Sequence, residues 1–258
     1  KMNETMSPIR KTREPTVHRA YAIFLLCACV LLGSCRTSED VFTVFVASSM
    51  TEFINIMLPE LAAEFPDVQV QVNIAGSGTL VNQIAEGAIA DAVLLAGASQ
   101  MDRLQSDTAF QPPVSIARNT LTVVVSSETH REVNTISDLQ NSGLQGAICV
   151  RGAPCGALAL EFSETANLDL TGTTREPNVK AVLAKVLRGE VDYGFVYRSD
   201  AQLAASEVRA VDLEGLDLLT TSYSVALANS DEISLSFLEI LTGRKAAMTL
   251  EDLGFLKP

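Results

Sequence analysis

The chain has 258 residues, of which 47% are hydrophobic and 19% charged, and its 19 Lys+Arg against 31 Asp+Glu give a formal net charge of −12. This composition fits a globular protein with a sizeable core and rules out an intrinsically disordered chain. The length suits one large domain or two lobes, and the acidic balance leaves no basic face for nucleic acid.

In chain order the first element is a leader. Arg10, Lys11, Arg13 and Arg19 precede the apolar run AYAIFLLCACVLLGS. A basic stretch followed by an apolar run too short for a comfortable membrane span reads as a secretory signal over residues 1–34. The residues LGSC, ending at Cys35, resemble the lipobox of bacterial lipoproteins. That resemblance implies lipidation of Cys35 and a mature chain held outside the cytoplasmic membrane by its lipid alone; an ordinary signal peptide is the alternative. Removing residues 1–34 takes away five basic and two acidic side chains, leaving 14 against 29 and a net charge of −15. Long-range steering then works against an anionic ligand, so capture of one has to come from local donors.

Beyond the leader, residues 41–47 form a β-branched apolar run that reads as a buried strand. Ser49-Met-Thr-Glu52 has the capping-box pattern, and Phe53, Met57 and Leu61 recur at helical spacing to about residue 65, with a kink expected at Pro59. Residues 68–74, VQVQVNI, alternate as a strand does. They lead into Gly76-Ser77-Gly78 and a helix over 79–86 that stops at Gly87. Buried strands follow at 92–96, 121–127 and 146–150, with a short helix ending at Gly143.

Cys149 and Cys155, in CVRGAPC, are the even pair left once Cys27 and Cys29 depart with the leader and Cys35 is lipidated. A disulfide closing a small loop is expected, two buried thiols being the alternative. These cysteines lack zinc-site partners, and the mature chain has one histidine, His130. Both facts argue against a cationic metal site and a histidine-based hydrolase. A helix over 156–166 comes next. NVKAVLAKVLRGE then gives an amphipathic helix over 178–190, with Val179, Val182, Leu183 and Val186 on one side. Strands at 192–197 and 223–228 and two C-terminal helical pieces complete the chain. The alternation predicts an α/β fold with a mostly parallel sheet.

At four places a strand ends and small or hydroxylated residues open a helix: Ala47-Ser48-Ser49, Gly76-Ser77-Gly78, Ala153-Pro154-Cys155-Gly156 and Asn178-Val179. Ligands of open α/β sheets sit beyond the carboxyl ends of strands. Helix starts there offer unpaired N–H groups and partial positive charge, so several together make an anion cradle that needs no lysine or arginine.

On these segments the chain resembles the molybdate-binding proteins of bacterial molybdate ABC transporters, a type II periplasmic-type solute-binding family. FVASSMTEF, AGSGTLVNQIAEGAIAD, APCGALALE and NVKAVLAKVLRGEVDYGFVYRSDA carry the resemblance, in order, over nearly the whole mature chain. It implies two α/β lobes, each a mostly parallel sheet flanked by helices, joined by two hinge crossings near 117–121 and 218–223. Lobe I is then 36–118 plus 219–258, and lobe II is 119–218. It implies hydroxyl donors at Ser49, Ser77 and Tyr197 and backbone donors at Ser49, Ser77, Cys155 and Val179, all to a tetrahedral oxyanion, molybdate or tungstate. No catalytic residue and no cofactor is implied, and molybdenum is held as oxyanion, never as a cation. The resemblance also implies an ABC permease as partner, a monomeric chain and contact with membrane through the lipid only. The family usually has alanine where Cys155 stands, a change that a backbone donor survives. Ser48 replaces a commoner alanine and has no assigned role. Other readings are a binding protein for another oxyanion such as sulfate, or a secreted serine or cysteine hydrolase. The latter lacks a G-x-S-x-G elbow. A ligand-sensing regulator would need a DNA-binding helix pair where the leader stands.

Overall fold

The computed structural model describes residues 40–127, 132–141 and 143–258. The expected signal segment, the lipidation residue Cys35 and His130 lie outside the described residues. The strands are β1 (Asp40–Ala47), β2 (Val68–Ala75), β3 (Ala92–Ala96), β4 (Val114–Ser126), β5 (Gly146–Cys149), β6 (Thr174–Glu176), β7 (Tyr193–Tyr197), β8 (Val208–Val211) and β9 (Thr220–Leu227). The α-helices are α1 (Thr51–Glu64), α2 (Ser77–Ala85), α3 (Ala98–Asp107), α4 (Ile136–Asn141), α5 (Pro154–Thr165), α6 (Val179–Leu187), α7 (Arg198–Leu203), α8 (Glu232–Thr242) and α9 (Arg244–Asp252).

The strand order is β2-β1-β3-β9-β4-β7-β5-β6, with β8 paired to β4. Strands β2, β1 and β3 run parallel on one side and β7, β5 and β6 parallel on the other. The long strands between them, β4 and β9, pair antiparallel with their neighbours. β4 is shared by the two halves. Its residues up to Thr120 pair with β9, and from Leu121 onward it pairs with β7.

Each half has its own core. In the first, Phe42, Val44 and Val46 of β1 face one side of the sheet with Phe53, Met57 and Phe237. Phe45 faces the other side with Leu80, Val81 and Leu104. A strand covered on both faces must be apolar at successive positions, and residues 44–47, VFVA, are. The second half packs Val123, Ile148, Phe162, Val182 and Phe195 into one cluster.

Two expectations need correction. Residues 48–50 form a short 3-10 turn before α1, and no side chain caps it: Thr51 Oγ1 donates to the Ser48 carbonyl (2.7 Å), while Ser49 and Glu52 point to other partners. The Ser49–Glu52 capping box is therefore absent. The other expectation concerned the strand at 121–127, which starts seven residues earlier, at Val114, because the polar stretch VSIARNT is the paired crossing segment. Helix α3 gives little warning in sequence, since only Met101 and Leu104 of it are buried.

Candidate functional site

Strands β1, β2, β3, β5 and β7 all point their carboxyl ends at one small cavity. Its walls come from both halves: Ala47, Ser48, Ser49, Gly76, Ser77 and Ala96 from the first, and Ala153, Pro154, Cys155, Asn178, Val179 and Tyr197 from the second. The structure thus brings together all five residues singled out from sequence, with Ser48 and Asn178 beside them. The free volume is about 10 Å³ for the centre of a water-sized sphere, corresponding to a hollow roughly 2.7 Å in radius. It suits one compact ion better than an organic chain.

The donors are local and neutral. Gly76 opens α2 and Ala153 opens α5, and neither helix start has a side-chain cap. Pro154 at the first position of α5 has no N–H, so Cys155 carries its first free amide. At α6 the Asn178 side chain accepts from Ala181 N–H (3.0 Å), which takes the third amide and leaves that of Val179. A disulfide joins Cys149, the last residue of β5, to Cys155 and ties this loop down.

Two of the three hydroxyls are oriented by partners invisible in the sequence. Ala96 N–H donates to Ser77 Oγ (2.9 Å), and the Tyr223 hydroxyl donates to Ser49 Oγ (3.1 Å). Each serine oxygen is thereby used as an acceptor, and its own proton is available to donate. Tyr197 is 1% exposed, and its hydroxyl has no hydrogen-bond partner of regular geometry. Burial pushes its acidity far below the ordinary tyrosine range, so it is a donor at any physiological pH.

One layer behind the cavity lies an ion triad. Lys180 Nζ is 2.8 Å from Glu52 and 2.9 Å from Asp200. Burial works against the lysine's charge, but the two carboxylates outweigh it and raise its pKa. Asp200 is fully buried, and desolvation pushes its carboxyl up to about 6 against the pull of Lys180. Between the ordinary 3.8 and about 6, the folded chain therefore holds a proton that the unfolded chain has lost. This group makes stability fall as pH rises through that window. Asp200→Asn is expected to become more stable relative to the unmodified protein across the window, read from thermal unfolding midpoints. Parallel pH profiles for the two proteins would contradict the assignment.

No lysine or arginine lines the cavity, and among the described residues no group of His, Cys, Asp and Glu is placed to hold a metal ion. The site offers no paired nucleophile and base.

The family model for bacterial extracellular solute-binding proteins matches residues 42–256. The molybdate-binding protein ModA of Mycobacterium tuberculosis (H37Rv) is 28% identical over 219 residues, covering 83% of this chain and 84% of that protein. Among solved structures, the periplasmic molybdate-binding protein of Azotobacter vinelandii superposes with a TM-score of 0.70 at 17% identity, over 84% of this chain and 99% of that one. The sulfate-binding protein SubI of M. tuberculosis gives 0.67 at 15% identity, over 84% and 86%. These two structures establish a shared fold.

Proposed function

The chain belongs to the bacterial extracellular solute-binding proteins, and from that premise we propose that it captures molybdate or tungstate in the cavity and delivers it to an ABC permease. Proteins of this family bind solutes outside the cytoplasm. The observation that carries the ligand assignment is Tyr197, a cavity-lining residue whose buried hydroxyl has no protein partner of regular hydrogen-bond geometry. An unpaired buried hydroxyl costs about 1–3 kcal/mol, and an anion's oxygen would accept its proton.

Hydroxyls of Ser49, Ser77 and Tyr197 and amides of Ser49, Ser77, Cys155 and Val179 are the proposed contacts. Each hydrogen bond to a charged group contributes about 1.5–3 kcal/mol. Seven of them come to about 10–20 kcal/mol, above the roughly 8 kcal/mol of a micromolar complex, leaving a surplus against the costs of closure. Donors without acceptors favour a fully deprotonated dianion over phosphate, which keeps a proton near neutral pH. The Asn178 side-chain oxygen at the cavity is occupied by its own helix cap, and the Ser49 and Ser77 oxygens already accept from Tyr223 and Ala96. Size then decides between molybdate and sulfate.

The two lobes are proposed as 36–118 plus 219–258 and 119–218, consistent with the switch of β4 between partners at Thr120/Leu121. We further propose a monomer anchored through lipid on Cys35. Calorimetric titration of the chain from residue 36 with molybdate, tungstate and sulfate tests the ligand. Heat with the first two and none with sulfate is expected; binding of sulfate alone would move the assignment to the sulfate reading.

A further inference from the structure

Lys180 raises a question of its own. It lies next in the chain to Val179, close to a cavity that on the reading above holds a dianion, yet it does not line that cavity. Its ammonium is spent on Glu52 and Asp200 instead. The placement of these three groups follows the placement of the contacts. Glu52 comes three residues after Ser49, Lys180 one after Val179, and Asp200 three after Tyr197. Glu52 is on α1 in the half built around β1, whereas Lys180 and Asp200 are on α6 and α7 in the half built around β7.

We infer that Lys180 is the positioning residue for anion binding: it latches the two halves across the cavity, so that Ser49 is held opposite Val179 and Tyr197. This rests on the proposed oxyanion function. Asp200, buried and within the same half, fixes where the ammonium sits. Glu52, about a third exposed, is the partner met from the other side. Because the lysine's charge is matched by these carboxylates, the anion meets only neutral donors. Closure then carries an attraction that does not depend on touching the ligand.

The latch works beside other contacts between the halves. Glycine permits close approach: a Cβ on Gly76 would stand 2.5 Å from the Pro177 carbonyl oxygen, and one on Gly97 would stand 2.8 Å from Pro154 Cγ. Gln100 Nε2 donates to the Gly152 carbonyl across the same seam (3.2 Å), and Glu52–Lys180 adds the charged hold. An ion pair open to solvent at its edge is weakened by salt, so closure should weaken with it.

The test compares Lys180→Met, Lys180→Arg, Glu52→Gln and the Glu52→Gln/Lys180→Met double variant. Stopped-flow kinetics with molybdate should show dissociation about tenfold faster in Lys180→Met and Glu52→Gln, with association nearly unchanged. Lys180→Arg should restore most of the loss. The double variant should be no worse than Lys180→Met, as one shared interaction requires. Spin labels on exposed positions of α1 and α6 give a second readout in the protein without anion, where Lys180→Met should shift the distances longer. If the unmodified protein ignores molybdate, the functional reading fails, and the label distances still decide the latch. Unchanged distances would overturn it. So would a dissociation rate within twofold of the unmodified protein's, or a loss that arginine does not rescue and that tracks a fallen unfolding midpoint.

Discussion

Gly78→Ala is expected to lower molybdate affinity by about a hundredfold while leaving the fold as stable or more so. A Cβ at residue 78 would stand 2.4 Å from the Gly152 carbonyl oxygen on the opposite half. That oxygen is backbone, in a loop tied by the Cys149–Cys155 disulfide, so it cannot swing aside as a flexible side chain would. The halves must therefore part. Cys155 and Val179 then fall out of reach of an anion held by Ser77, and losing one or two charge-assisted bonds is about 3 kcal/mol. Within α2 the same change replaces glycine, a poor helix former, by alanine, the best one, a gain of up to about 1 kcal/mol. Calorimetry and thermal unfolding on one preparation give both numbers. Affinity within threefold of the unmodified protein would show that close approach at residue 78 is not needed.

Tyr197→Phe should separate affinity from stability in the same direction by a different cause. The ring is fully enclosed and packs edge-on against Tyr223, with centroids 6.1 Å apart, and phenylalanine keeps that packing. Only the hydroxyl goes, and in the protein alone it has no hydrogen-bond partner of regular geometry. The unfolding midpoint without anion should stay level or rise, since an unsatisfied buried group is removed. Molybdate affinity should fall ten- to a hundredfold, the value of one bond to a charged acceptor. A lowered midpoint with unchanged affinity would make Tyr197 an ordinary core residue.

What the sequence disclosed follows from which interactions are local. Strands β1 and β3 are covered on both faces, so each is a run of apolar residues that needs no partner to be noticed. The helix starts at residues 76–78, 153–156 and 178–179 carry glycine, proline or asparagine for reasons of backbone geometry, and those too are local. Orientation was not. Ser77 is aimed by an amide nineteen residues away, and Ser49 by a tyrosine 174 residues away on the crossing strand. Tyr223 gives no sign in YSVALA that it is more than a strand residue. The capping box failed for the same reason: Glu52 is drawn away from Ser49 by Lys180, 128 residues on. A long-range ion pair outcompeted a local hydrogen bond, and no window of sequence contains both partners.

The electrostatic logic sets this site apart from sites that bind anions with cationic side chains. The chain is acidic, the lysine next to Val179 is matched by carboxylates, and helix starts with free amides face the cavity. Such donors cost no reorganisation when the anion arrives, because the backbone already holds them in place.

The most direct measurement is a crystal structure of the protein grown with molybdate, with the metal located by its anomalous scattering. The expected result is one peak inside the cavity, with the hydroxyls of Ser49, Ser77 and Tyr197 and the amides of Cys155 and Val179 about 2.7–3.1 Å from its oxygens. Lysine or arginine in contact with the ion, or a peak outside the cavity with Tyr197 still unpaired, would contradict capture by neutral donors.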